Sequence, residues 1–191
     1  SSLSVVAYGS SGSERVAKGL KGNVRFATAR GQRNSRVSVV SSSGSTRTYR
    51  GFLDVRRTDS GLLTMSNVLL EDYLRSVVSS EIPSNWTAAA LRAQAVAARS
   101  YALLAQLNAR ADGRAYDICD TSSCQAYGEI STESGPQSRA VADTAGVFVK
   151  SGGQPAFTMF SSANGGYTVS GSRSYLVAKP DPYDGVVTGA A

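Results

Sequence analysis

Residues 69–110 read LLEDYLRSVVSSEIPSNWTAAALRAQAVAARSYALLAQLNAR, and this stretch decides the fold. Pro83 disfavours helical geometry at Ile82, so the stretch is predicted to form two helices that meet at this proline. The first helix then ends near Glu81. Its apolar residues recur at the three- and four-residue spacing of one helix face: Leu70, Leu74, Val77 and Val78.

Glu81 continues this apolar face, which an amphipathic helix normally keeps free of carboxylates. We expect its side chain to be buried at a helix C-terminus, where burial and the helix dipole both raise the pKa of a carboxyl group. A raised pKa suits a general acid that works near neutral pH. The alternative is a buried ion pair with Arg99, which would lower the pKa of Glu81 and keep it charged.

The second helix is predicted to run from about Thr87 to about Arg110, with Ser84 or Asn85 as its N-cap. It is rich in alanine and apolar on all sides, so we expect it to be the central buried helix. Gln94 and Arg99 are its interior polar exceptions. A buried arginine is costly unless it is paired, so Arg99 should have a carboxylate or a polar network as its partner.

The start of the first helix has its own polar signals. Ser66 or Asn67 is predicted to be the N-cap. Glu71 and Asp72 then fall in the first turn, where the helix dipole favours negative charge. This structural role is sufficient for both acids, so neither is a candidate catalyst.

The remaining sequence predicts an α+β fold in a single domain, residues 1–191. Residues 1–65 form a β-rich part, residues 66–110 the helical core, and residues 111–191 a mixed part that closes a groove over Glu81. The strands expected from β-branched and aromatic runs are Leu3–Tyr8, Val24–Thr28, Arg36–Val40, Arg47–Val55, Leu62–Met65, Val147–Lys150 and Ala156–Phe160. Ser41–Ser45 is predicted to be a hairpin loop, Ser138–Thr144 a short helix and Phe160–Gly166 a tight polar turn.

The composition excludes several classes of site. The chain has no histidine, which excludes Ser-His-Asp and Cys-His nucleophilic sites and zinc sites built on histidine. It has no Walker A motif and no GxGxxG after a strand, so no phosphate cradle is predicted. The net charge of +6 is spread along the chain, which is typical of an ordinary soluble surface and also suits an anionic environment such as a cell wall or a nucleic acid. Without basic stripes and interleaved aromatic residues, a nucleic acid is not an expected partner.

Membrane and targeting signals are also absent from the printed sequence. No apolar run approaches the length that spans a membrane. The chain starts at Ser1 without methionine, so we expect that any signal peptide or anchor has been removed.

The two cysteines, Cys119 and Cys124, are five positions apart in a segment predicted to be a loop, YDICDTSSCQAYG. In an extracellular protein they would form a local disulfide. In a reducing compartment they would be free thiols or two ligands of a metal.

The central stretch SSEIPSNWTAAALRAQAVAARSYAL, residues 79–103, resembles the signature of the SpoIID family, the stage II sporulation protein D and amidase-enhancer type of domain. The similarity extends upstream through YRGFLDV and SNVLLEDYLRSVV. Downstream it includes YDICDTSSCQAYG, AVADTAGVFV, FSSANGGYT and SYLVAKPDPYD, in the family's order. The resemblance covers roughly residues 47–185, and its central motif is long and specific.

The resemblance implies a lytic transglycosylase of peptidoglycan, which cleaves between N-acetylmuramic acid and N-acetylglucosamine in glycan strands stripped of stem peptides and leaves a 1,6-anhydro end. It implies an extracytoplasmic protein, secreted or in the cell wall, that needs no cofactor. The family's catalytic glutamate falls on Glu81. Its supporting positions fall on Gln94, Arg99, Gln125, Tyr127, Ser161, Ser162, Gly165 and Gly166.

This chemistry is compatible with a chain that has one unusual carboxylate and no histidine. Glycosidases commonly use two carboxylates. A lytic transglycosylase manages with one, because the muramic O6 hydroxyl is the nucleophile and already lies next to the reacting carbon. Glu81 would protonate the glycosidic oxygen and then accept the proton of O6.

Two positions depart from the family's pattern. Where many members have histidine before the second cysteine, this chain has Ser123, so no metal is expected and the resemblance favours a Cys119–Cys124 disulfide. Where many have tyrosine before the polar turn, this chain has Phe160, which lacks the hydroxyl.

Each functional assignment has a structural alternative. A non-catalytic wall-binding module that enhances a separate cell-wall amidase is the alternative function, although a pure binder has no need of Glu81. Gln94 and Arg99 would then only satisfy the core, and Tyr127 would be a packed aromatic. The serines, the glycines and Gln125 would only shape turns. Trp86 could stack on a sugar, but the commoner role of a tryptophan at this position is to anchor the start of the helix in the core.

Overall fold

The computed structural model describes residues 3–9, 12–28, 35–41 and 43–184. Within them, helix α1 spans Leu70–Glu81, α2 spans Ala88–Ala111 and α3 spans Gly135–Asp143. Strands precede this helical part and short strands follow it, so the predicted α+β class is confirmed. No helix in the described part of the chain is long and apolar enough to cross a membrane.

The N-terminal part is β-rich, as predicted, and its described strands pair antiparallel in small sheets. In chain order, the described strands β1 to β7 are Leu3–Gly9, Gly12–Leu20, Val24–Phe26, Arg36–Val40, Thr46–Arg50, Phe52–Thr58 and Gly61–Asn67. β1 pairs with β2, β4 with β5, and β6 lies between β3 and β7. Strand β2 was not predicted from the sequence, because its glycines and charged residues are typical of loops.

Gly51 divides the single strand that was predicted over Arg47–Val55 into β5 and β6. Its φ of 80° is accessible to glycine but unfavourable for other residues. A Cβ here would collide with the backbone oxygen of Asn67, and the Gly51 N–H donates to the Ser35 oxygen at 2.8 Å. The close approach therefore lets β5 turn away from the sheet that β6 forms with β7.

The hydrophobic core is helical. On α1, Leu74, Val77 and Val78 are fully buried, which confirms the predicted apolar face. Burying a side chain of this size contributes roughly 1.5–3 kcal/mol. The core consists of Tyr73, Leu74, Val77, Val78, Ile82, Leu91, Ala95, Ala98, Ala102, Ala140 and Val141.

Both predicted N-caps are corrected. Ser66 and Asn67 belong to β7, where Asn67 pairs with Phe52, and the N-cap of α1 is Leu69. The N-cap of α2 is Thr87, whose hydroxyl accepts from the Ala90 N–H at 3.3 Å. Ser66 and Asn67 are held in the ladder of β7, so α1 begins after them, and Leu69 caps it without a side-chain hydrogen bond.

Helix α2 is central, but it is not buried on all sides. Its middle turns lie in the core, whereas each end has exposed residues, including Ala88, Ala89, Leu107 and Asn108. Small alanine side chains need no burial to favour a helix, since their helix propensity is high.

Downstream of α3, the predicted strands are largely wrong. The strands there are β8, Lys150–Ser151, and β9, Gln154–Pro155, which pair with each other. An isolated antiparallel bridge joins Tyr167 and Pro180. The neighbouring backbone bonds instead to helix side chains and loops: the Val149 N–H donates to Ser100 Oγ at 2.9 Å. The short helix predicted over Ser138–Thr144 is present as α3, which begins three residues earlier.

Replacing Gly51 with alanine should lower the free energy of unfolding by about 3 kcal/mol, since the change adds both an unfavourable φ and a collision with the Asn67 backbone. Gly22→Ala is the matched control, because Gly22 has a φ of 79° and no atom within 4 Å of a Cβ. We expect the control to cost only about 1 kcal/mol. Equal losses in urea unfolding of the two variants would contradict the proposed collision.

Candidate active site

Glu81 is the last residue of α1, and its side chain is exposed. The prediction that it is buried is wrong, because the chain leaves the helix at Ile82 and it is Ile82, 8% exposed, that enters the core. The Ala126 N–H donates to Glu81 Oε1 at 2.9 Å. Among the described residues, Oε2 receives no hydrogen bond and is available to a ligand.

Gln125 fixes the loop that carries this N–H. Its side chain is fully buried. Oε1 accepts from the Tyr73 hydroxyl at 3.1 Å, and Nε2 donates to the Ala98 oxygen at 3.2 Å. Gln125 thus joins α1, α2 and the loop, and the next residue, Ala126, meets Glu81.

Tyr73, Tyr127 and Tyr49 form a ring cluster beside this loop. The ring centroids of Tyr73 and Tyr127 are 5.0 Å apart, and those of Tyr127 and Tyr49 are 6.1 Å apart. Burial raises the pKa of the Tyr73 phenol, and the neighbouring Tyr127 and Glu81 raise it further. Burial also raises the pKa of Tyr127. Both phenols therefore stay protonated at neutral pH.

A groove of about 820 Å³ lies along this cluster. We call it the tyrosine groove; its walls include Tyr73, Tyr127, β7 and the loop 115–120. Glu81 does not line it, so the tyrosine groove and the exposed carboxylate do not coincide. The groove and the carboxylate are nevertheless connected, because Tyr127 in the groove wall directly follows Ala126, whose N–H donates to Glu81.

A disulfide between Cys119 and Cys124 closes the loop before Gln125. The loop is also held by a hydrogen bond from the Tyr127 N–H to the Asp120 oxygen at 3.3 Å. Within the described part of the chain, no group of acidic or sulfur ligands is arranged to hold a metal ion. The disulfide and the backbone bond together restrict the segment that presents the Ala126 N–H.

Arg99 pairs with Glu71 and not with Glu81. Its guanidinium, 1% exposed, contacts Glu71 through Nε–Oε1 at 2.9 Å and Nη2–Oε2 at 2.7 Å. It also donates to the oxygens of Val141 and Val147. Glu71 therefore has a role beyond its place in the first helical turn, and Glu81 remains free of a buried ion pair.

The other predicted residues are not brought into this cluster. Gln94 has a buried Nε2 without a partner among the described residues. Ser161 and Ser162 are exposed, and Ser161 Oγ donates to the Ala163 oxygen. Their turn ends at Gly165 and Gly166, with φ of 70° and 86°. In the described part of the chain, no hydrogen bond links this turn to Glu81.

The roles of Tyr73 and Glu71 were not predicted from the sequence. Tyr73 stands four positions before Val77, a spacing that puts it on the apolar face of α1, although it was not counted among the residues of that face. Its hydroxyl was a signal that a buried polar partner was needed. Glu71 was assigned only to the helix dipole, and periodicity cannot reveal a partner 28 positions away.

The comparisons with known proteins support the family resemblance. The sequence model of the SpoIID family, described as stage II sporulation protein, matches residues 58–150. The amidase enhancer of Bacillus subtilis strain 168 is 37% identical over 117 residues, which are 58% of this chain and 15% of that protein. An uncharacterized protein of Brachyspira hyodysenteriae strain ATCC 49526 / WA1 is 30% identical over 132 residues, 69% of this chain and 36% of that protein.

The chain thus spans only a small part of the length of the curated relatives that it matches. No solved structure matches it.

Glu71→Gln should lower the free energy of unfolding by about 2 kcal/mol, because it weakens a charged two-point contact to a buried guanidinium. Asp72→Asn is the control from the same helical turn, and its contact with Arg75 is 3.7 Å long and partly exposed. We expect it to cost no more than about 0.5 kcal/mol. Similar losses in both variants would assign the effect to the helix dipole instead.

Stability should fall at alkaline pH partly through Tyr73. In the unfolded chain the phenol loses its proton at about pH 10, whereas in the folded protein burial raises its pKa and it stays protonated. The contribution of Tyr73 to the free energy of unfolding is therefore fully present below about pH 10 and is lost as the pH rises further. Tyr73→Phe should make this decline shallower, by at most about 1.4 kcal/mol per pH unit. Urea unfolding between about pH 9 and about pH 11 measures the slope.

Tyr183→Phe serves as its control, because Tyr183 is 84% exposed. We expect that control to keep the wild-type slope. A Tyr73→Phe slope equal to that of wild type would contradict the assignment.

Proposed function

Since residues 58–150 belong to the SpoIID family, we propose that this protein is a peptidoglycan lytic transglycosylase with Glu81 as its acid and base. The substrate is a glycan strand freed of stem peptides, and the products carry 1,6-anhydro-N-acetylmuramic ends. The family match and the amidase enhancer relative support a role at the cell wall. The disulfide supports an extracytoplasmic location.

The observation that carries the proposal is the setting of Glu81. Its carboxylate is exposed at a helix end, with Oε1 held by the Ala126 N–H and Oε2 open. It is not neutralised by the buried arginine, whose partner is Glu71. A proton donor must reach the glycosidic oxygen in a defined orientation, and a carboxylate held at one oxygen meets this requirement.

The reaction needs one carboxylate and the substrate's own hydroxyl. Protonated Glu81 donates its proton to the glycosidic oxygen as the bond to the anomeric carbon breaks. The carboxylate then takes the proton of the muramic O6 hydroxyl, whose oxygen forms the new bond to that carbon. The proton returns to Glu81, and no water is consumed. Because O6 belongs to the same sugar, its attack is intramolecular and favourable.

The tyrosine groove supports a polymeric ligand. Its volume of about 820 Å³ and its aromatic wall suit several sugar rings. Burial raises the pKa values of Tyr73 and Tyr127, so both remain neutral phenols in the groove wall, and the Tyr73 hydroxyl donates to Gln125. Gln125 acts here as a positioning residue, since it is buried and holds the loop that binds Glu81.

Enhancement of a separate amidase is the second candidate function, because a relative that is 37% identical carries the name amidase enhancer. In that case the protein would bind glycan strands and a cell-wall amidase without cleaving the strands. The exposed Glu81 would then have no proton to transfer, and its replacement by glutamine would leave the enhancement unchanged.

Glu81→Gln should reduce the release of anhydro-muramic ends from denuded glycan strands by at least about 100-fold, the usual size of a lost general acid. Mass spectrometry of the products measures this, and a pull-down with insoluble glycan checks that binding is retained. Glu14→Gln, which changes an exposed glutamate on β2, should behave as wild type.

Two results would contradict the proposed lyase activity. Reducing ends in place of anhydro ends would identify a hydrolase. Binding without any product from wild type, combined with equal amidase stimulation by wild type and Glu81→Gln, would establish the enhancer.

A further inference from the structure

A second cleft, of about 350 Å³, lies between the connection from α1 to α2, the first turns of α2, and α3. We call it the Trp86 cleft; Trp86, Leu91, Arg92 and Arg139 are among its lining residues. Glu81 does not line it, so the mechanism above leaves it without a role. Its volume is that of a small-ligand site.

Trp86 is not the buried anchor that the sequence analysis favoured, since 51% of it is exposed. The backbone N–H of Trp86 donates to the Pro83 oxygen at 3.3 Å, which closes a turn. The buried Gln137 of α3 donates through Nε2 to the Ile82 oxygen at 2.9 Å. The connection that carries Trp86 is therefore tied to the helix that carries Arg139, and the cleft has a fixed frame.

The charge of the cleft is positive. Arg139 is exposed and has no hydrogen bond or ion pair among the described residues. Arg92 contacts Asp143 at 3.9 Å with both side chains about half exposed, a contact that contributes little. The charged residues that line the cleft are therefore two arginines and one aspartate. The first turn of α2 contains no acidic residue, and its free N–H groups add to the positive potential.

We propose that the Trp86 cleft binds a pyranose that bears a carboxylate, as N-acetylmuramic acid does through its lactyl ether. The indole of Trp86 stacks on the apolar face of the ring, and the guanidinium of Arg139 pairs with the carboxylate. This inference rests on the proposed glycan substrate and deepens it. A stem peptide converts the lactyl carboxylate into an amide, so the cleft distinguishes bare strands from strands that carry peptides.

Trp86 is the single tryptophan of the chain, so its fluorescence reports on this cleft directly. We would titrate the protein with N-acetylmuramic acid, with N-acetylglucosamine, with lactate, and with the muramic sugar amidated by alanine. N-acetylmuramic acid should give a saturable change. The other three should bind at least about tenfold more weakly, because each lacks the ring, the carboxylate or its position.

Arg139→Gln should weaken the binding of N-acetylmuramic acid about tenfold and leave that of N-acetylglucosamine unchanged. Arg57→Gln, at an exposed arginine of β6 outside the cleft, should match wild type. Trp86→Ala should weaken both sugars in calorimetry. Equal affinity for the two sugars, a wild-type response in Arg139→Gln, or tighter binding of lactate alone would overturn the proposal.

The cleft and the lyase can fail separately. Glu81→Gln should retain the full fluorescence response while it loses anhydro-end formation. If Glu81→Gln abolishes cleavage and Arg139→Gln leaves the titration unaltered, the lyase holds and the cleft proposal is wrong. If no variant or wild type cleaves glycan but the titrations behave as expected, the cleft holds and the lyase is wrong.

Discussion

The buried guanidinium of Arg99 is the interaction on which the helical core depends. Removing an arginine from water costs several kcal/mol unless its donors are satisfied. Here Glu71 of α1 takes two of them, and the oxygens of Val141 and Val147 take others. One side chain of α2 thereby fixes α1, α3 and the chain beyond α3, and this frame holds the end of α1, where Glu81 lies.

This arrangement keeps two carboxylates of one helix in separate roles. Glu71, in the first turn of α1, neutralises the buried guanidinium of Arg99, whereas Glu81, the last residue of α1, remains exposed. Had Arg99 met Glu81, the strong charge pairing would have kept the carboxylate ionised and unable to donate. Ten positions along one helix separate a structural acid from a candidate catalytic one.

Local patterns predicted much of the fold. The apolar spacing of Leu74 and Val77, the break at Pro83 and most N-terminal strands were found, because they depend on near neighbours in sequence. Long-range partners were not found: neither Glu71 for Arg99 nor the backbone of Ala126 for Glu81 leaves a trace in local periodicity. The prediction that Glu81 is buried was wrong for a related reason, since a helical wheel does not show where the chain leaves the helix.

The contact that holds Glu81 comes from a main-chain N–H, and this affects which substitutions the site tolerates. Every residue except proline supplies that donor, so position 126 is free to vary in side chain while the contact persists. The constraint passes to the neighbours that shape the loop, Gln125 and the cysteine pair. A search for functional positions by side-chain chemistry alone would therefore overlook Ala126, although its peptide group orients the carboxylate.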